Sequence, residues 1–169
     1  MIFTIIGMPG CGKSCMGRSV SKKLKMKWVD SDKLIEHKLG KKLFEIISEY
    51  GNEKFGEIEK ETLLGFDTDN VILSTGGSAV YYPEVMEYYK SKGRIIYLYC
   101  SFEMIEKRLG DFSKRGVILA PGQTLRELYD ERCALYKKYA DIIIDVSGTA
   151  FSTYQSRVIS AISGTLNNI

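Results

Sequence analysis

The stretch Gly7-Met8-Pro9-Gly10-Cys11-Gly12-Lys13-Ser14 matches the pattern GxxxxGK[ST] and governs how the rest of the chain is read. Immediately before it, Ile2 to Ile6 is a β-branched and aromatic run ending at Gly7, the pattern of a strand buried on both faces. Immediately after it, the periodicity predicts a helix over residues 13–25. Strand, glycine loop and helix in that order are the context the motif requires. The glycines let backbone N–H groups turn inward around a phosphate, and the helix N-terminus adds positive potential. Lys13 then reaches the β- and γ-phosphates and Ser14 offers an oxygen to Mg²⁺. Gly10, Cys11, Gly12, Lys13, Ser14 and Cys15 are therefore the candidate residues for a nucleoside triphosphate. The glycines at 7, 10 and 12 lack GxGxxG spacing, so a dinucleotide fits worse.

Outward from the loop, strand-like runs recur at 27–29, 71–74, 94–99 and 142–146, separated by helical stretches at 86–92, 102–109 and 125–139. Strands alternating with helices predict an α/β fold with a parallel sheet covered on both sides. Residues 32–64 have helical periodicity without a strand and are read as a substrate-side insertion; the polar stretch 110–122 is read as a mobile lid. The tail after Gly148 reads as a loop and a last helix.

With 169 residues, 44% of them hydrophobic and 27% charged, one compact domain over 1–169 is expected. The net charge of +3 is small and both signs are interspersed, which argues against nucleic acid as a partner. Cys11, Cys15, Cys100 and Cys133 lack paired metal-ligand spacing, and the lone His37, read as a surface helix residue, cannot complete a zinc site. Reduced thiols in the cytoplasm fit better than a disulfide that would distort the loop. The apolar runs are strand-sized, so neither a signal peptide nor a membrane span is expected.

Trp28-Val29-Asp30-Ser31-Asp32 sets two carboxylates at the end of the second strand, at the sheet edge where ligands bind. Along an extended segment two residues separated by one other point the same way, so one carboxylate can hold hydrated Mg²⁺ while the other reaches a substrate hydroxyl. Capping of the following helix by Asp30 or Ser31 is compatible with both tasks. Ser74-Thr75-Gly76-Gly77-Ser78 ends the third strand at the same edge, where paired glycines allow close backbone approach to a ligand or simply a tight turn. Tyr81, Tyr82, Tyr88 and Tyr89 are read as packing.

Taken together, GxxxxGKS at 7–14, Asp-Ser-Asp at 30–32, Ile35-Glu36, Gly40, Phe55, Glu59, the glycines at 76 and 77, Arg108, Arg115, and Arg132 with Leu135-Tyr136 resemble the shikimate kinase family nearly end to end. The resemblance implies a P-loop NTPase of the nucleoside-monophosphate-kinase type, three layers α/β/α around a five-stranded parallel sheet. It also implies ATP and Mg²⁺ and phosphorylation of the shikimate 3-hydroxyl; apart from the resemblance, a monomer is expected. On its residues, Lys13 would be the phosphate lysine, Ser14 and Asp30 the metal ligands, and Asp32 the residue that binds substrate hydroxyls and accepts the proton. Gly76 and Gly77 would offer N–H groups to the substrate, Arg108 would lie against adenine, Arg115 would come down with the lid, and Arg132 would pair with the substrate carboxylate.

The sequence departs from the family at Gly56, where the family has an arginine that grips the same carboxylate, at Ser78, where it has a third glycine, and at Gly116, where proline follows the lid arginine. A charge-assisted contact of the missing kind is worth about 1.5–3 kcal/mol. Two other readings follow: a related kinase acting on a different small alcohol, or a nucleotide-binding regulatory protein with little turnover. Lys13, Ser14, Asp30 and Asp32 together argue against the latter.

Overall fold

A computed structural model describes residues 1–110, 117 and 119–167. Five strands, β1 (Ile2–Ile6), β2 (Lys27–Asp30), β3 (Val71–Ser74), β4 (Gly93–Tyr99) and β5 (Ile142–Asp145), form one parallel sheet in the order β2-β3-β1-β4-β5. Every residue of β1 and β3 is buried, as parallel strands covered on both faces must be. The register sets Ile2 between Val71 and Gly93, and brings the carboxyl ends of β1, β2 and β3 to one edge.

The helices are α1 (Lys13–Leu24), α2 (Ser31–Leu39), α3 (Leu43–Leu64), α4 (Pro83–Lys92), α5 (Phe102–Leu109), α6 (Leu125–Tyr139) and α7 (Phe151–Leu166). After β1 the chain crosses β3 to reach β2, and after β3 it crosses β1 in the opposite direction to reach β4. Right-handed crossovers therefore set α1 and α4 on opposite faces of the sheet. Helix α7 packs with α1, and α3 packs with α4, which completes the two outer layers. Among the described residues no helix is long and apolar enough to cross a membrane.

Two details depart from what the sequence predicts. Helix α4 begins at Pro83, where proline's missing N–H costs nothing in a first turn, and not near residue 86. Helix α3 is broken at Gly51, whose φ of 77° and ψ of 170° lie outside the helical region. A second, smaller core of Ile35, Ile46 and Phe55 joins α2 to α3, so residues 31–64 form a helical layer over the β2 and β3 ends. Of the stretch read as a lid, residues 111–116 and 118 lie outside the described residues, and Arg115 with them.

Candidate active site

The phosphate loop folds on three glycines with positive φ: Gly7 at 147°, Gly10 at 82° and Gly12 at 100°. Within it the Cys11 N–H donates to the Met8 carbonyl at 3.2 Å, and the first helical bond of α1 runs from the Met16 N–H to the Gly12 carbonyl at 2.9 Å. The N–H groups of Lys13, Ser14 and Cys15 thus stand at a helix start without intrahelical acceptors, pointing where an anion is best accommodated. Lys13 is only 8% exposed, and its Nζ donates to the carbonyls of Gly7 at 2.7 Å and Met8 at 3.0 Å. The ammonium is held over the loop by partners that a phosphate oxygen can replace. Beneath the loop Cys11 is buried, while Cys15 is exposed on the first turn of α1.

Asp30 caps α2: one carboxylate oxygen accepts from the Asp32 N–H at 3.1 Å and the Lys33 N–H at 3.3 Å, the other from the Ser14 hydroxyl at 2.5 Å. The helix begins at Ser31, so Asp32 sits in its first turn; the two carboxylates stand at a strand end and a helix start, not along one extended segment, and of the two only Asp32 lines the cleft described next. Burial first, and then the Asp30 charge, push the Asp32 carboxyl up to about 6.

Gly10, Gly12, Lys13, Ser14, Cys15, Asp32, Gly76, Gly77 and Arg132 all line one cleft of about 480 Å³. The Gly76 N–H is already bonded to the Ser31 hydroxyl at 2.9 Å, and what Gly76 gives the cleft is room. A Cβ there would stand 2.8 Å from Asp32 Oδ1 and closer still to Glu59 Oε1. Gly77 is as tightly enclosed, with Pro9 Cδ at 2.8 Å and Arg132 Nη1 at 3.0 Å from where its Cβ would be. Arg132 Nε donates to the Tyr81 hydroxyl at 3.3 Å, and its guanidinium lies 5.2 Å from the Tyr81 ring centroid. Arg108 flanks the loop from α5, donating to the Gly10 carbonyl at 3.3 Å.

Three side chains of the site had no role assigned from the sequence. Glu59 is fully buried on the cleft wall; its Oε2 accepts from the Ser78 hydroxyl at 2.6 Å while Oε1 has no partner. Burial pushes its carboxyl up to about 7 against the pull of the Ser78 hydroxyl; nearby Asp32 adds to the rise, while the Arg132 charge and the Tyr82 hydroxyl oppose it. The signal available was spacing: Phe55, Glu59 and Leu63 form the buried stripe of the second half of α3, and an acid in such a stripe marks a site. Tyr81 and Tyr82, expected to be packing, bound Arg132 and Glu59, whereas Tyr89 does pack, with its hydroxyl on the Leu63 carbonyl at 2.6 Å.

A family model described as shikimate kinase matches residues 9–163 of this chain. The chain belongs to the shikimate kinase family. A shikimate kinase of Francisella tularensis subsp. novicida is 30% identical over 158 residues, 91% of this chain and 90% of that protein. Among solved structures, shikimate kinase from Aquifex aeolicus vf5 is 26% identical with a TM-score of 0.85, covering 97% of both chains. The shikimate kinase from Acinetobacter baumannii, solved in complex with shikimate, is 27% identical with a TM-score of 0.87, covering 96% of this chain and 93% of that one. Membership of the shikimate kinase family makes the chain an ATP-dependent kinase that phosphorylates a hydroxyl of a small molecule.

Proposed function

We propose that the acceptor is shikimate, phosphorylated on its 3-hydroxyl with Mg²⁺ as the metal, in the cytoplasm. Arg132 carries this reading. The residue is 3% exposed on the wall of the cleft that also holds Lys13 and Asp32, and its one protein side-chain hydrogen bond among the described residues goes to Tyr81. A buried cation with no carboxylate in ion-pair contact is unfavourable, and an acceptor that brings its own carboxylate relieves it. Shikimate supplies that carboxylate together with ring hydroxyls. Four free cysteines accord with a reducing compartment that contains ATP.

Ser14 Oγ and Asp30 Oδ2, two hard oxygens already side by side at 2.5 Å, suit Mg²⁺, which is usually held by one or two protein oxygens and the substrate phosphates. Bound there, the metal would neutralise charge on the phosphate oxygens. Lys13 would exchange its two loop carbonyls for the β- and γ-phosphates, and Arg115 would bring a further positive charge. Asp32 would orient the acceptor hydroxyl and take its proton as the oxygen bonds to phosphorus and the bond from phosphorus to ADP breaks. Its raised pKa makes it a stronger base than an ordinary carboxylate. Steady-state kinetics with purified protein, ATP, Mg²⁺ and shikimate test the proposal. Saturable formation of shikimate 3-phosphate is expected; ATP turnover only with some other small alcohol would overturn it and favour the altered pocket at Gly56 and Ser78.

A further inference from the structure

Gly56 has ordinary helical backbone in α3, yet a Cβ there would stand 2.8 Å from the Tyr82 hydroxyl oxygen. The next nearest atom, Tyr82 Cζ, would be at 3.8 Å, an ordinary contact, so the obstruction is the hydroxyl alone. That hydroxyl faces Glu59, one turn beyond Gly56 on the same helix, and burial with the Glu59 charge keeps it protonated at any ordinary pH. Glu59 has the Ser78 hydroxyl on one oxygen; the other has no hydrogen bond of normal geometry, although the Tyr82 hydroxyl is close enough to pull the Glu59 pKa down. No lysine or arginine among the described residues lies within ion-pair distance of Glu59. Arg132 stands where the cleft meets a side chamber bounded by Asn52, Tyr81 and Tyr82. Neutral hydroxyls occupy a corner that a cation at position 56 would otherwise share with Glu59, three residues away on the helix.

We propose that Tyr82 is a specificity-determining residue of the acceptor site: its hydroxyl takes the room of any side chain at position 56 and leaves Arg132 as the guanidinium that an anionic acceptor meets. This rests on the reading of a carboxylate-bearing acceptor. The absence of a side chain at Gly56 and the presence of the Tyr82 hydroxyl are then one feature, and neither can be changed to effect without the other.

The test is a double-mutant cycle of Gly56→Arg and Tyr82→Phe, read by shikimate KM and kcat, ATP KM and thermal unfolding. With Tyr82 present, Gly56→Arg should leave shikimate KM unimproved or higher. In the Tyr82→Phe background the same change should lower it roughly tenfold, the size of one charge-assisted contact, with kcat and ATP KM little altered. Equal effects in both backgrounds overturn the proposal. Gly56→Ala gives a readout that needs no substrate. Alanine is the better helix former, so Tm should rise in the Tyr82→Phe background and fall in the Tyr82 one. A rise in both would show that the hydroxyl does not fill the space. Should the unmodified protein fail to phosphorylate shikimate, the acceptor reading falls while the melting cycle still decides the role of Tyr82.

Discussion

Asp30 divides its oxygens between a helix cap and the Ser14 hydroxyl, so one residue both starts α2 and fixes where Asp32 stands. Asp32, one residue past the cap, is therefore placed by backbone that Asp30 holds, and its own carboxylate is left for the cleft. Replacing Asp32 by asparagine keeps the shape and removes the proton acceptor. The expected outcome is a fall in kcat of roughly 10²–10⁴-fold, with ATP KM close to unchanged and Tm no lower, since a carboxyl strained by burial is lost. Initial-rate measurements over both substrates check this, and turnover within a few-fold of the unmodified protein would show that Asp32 does not take the proton.

At the scale of elements, α1 is held against the sheet by the absence of a side chain. A Cβ on Gly17 would lie 2.5 Å from Ser74 Oγ and 2.6 Å from Trp28 Nε1, two atoms already bonded to one another at 3.1 Å. Ser74 in turn donates to the Lys13 carbonyl at 3.2 Å, so the same contact that seats the helix seats the phosphate lysine. Alanine at 17 should gain about 1 kcal/mol of helix propensity and lose about 1–3 kcal/mol to overpacking. Gly17→Ala is accordingly expected to lower Tm and raise ATP KM together; a higher Tm with unchanged ATP KM would mean that α1 moves freely off the sheet. Such contacts also explain what the sequence could and could not disclose. The loop at 7–14 and the strands around it were legible because motif, strand and helix are contiguous. Glu59, Ser78 and Tyr82 were not, because their relation is made by α3 folding over the end of β3 and exists only in three dimensions. The pairing of Asp30 with Asp32 was found for a reason of strand geometry that the helix start at Ser31 replaces.

For the whole molecule, the site is a source of instability as well as of chemistry. Glu59 is fully buried, with Asp32, Arg132, Ser78 and Tyr82 around it, and its carboxyl is pushed up to about 7 from an ordinary 4.5. Between those two values the folded protein binds more protons at this residue than the unfolded chain does, so stability must fall as pH rises through that window. Below 4.5 both forms are protonated and above 7 both are ionised, and the slope from this group vanishes. The separation corresponds to an effect on the order of 3 kcal/mol. Glu59→Gln keeps an acceptor for the Ser78 hydroxyl, gives the unpartnered oxygen's position a neutral group, and cannot ionise. Urea unfolding at pH 5 and pH 8 should find the two proteins similar at the lower pH and the variant more stable at the higher one. Parallel pH profiles would mean that Glu59 is ionised at little cost, its charge offset by nearby Arg132 although the two are not in ion-pair contact.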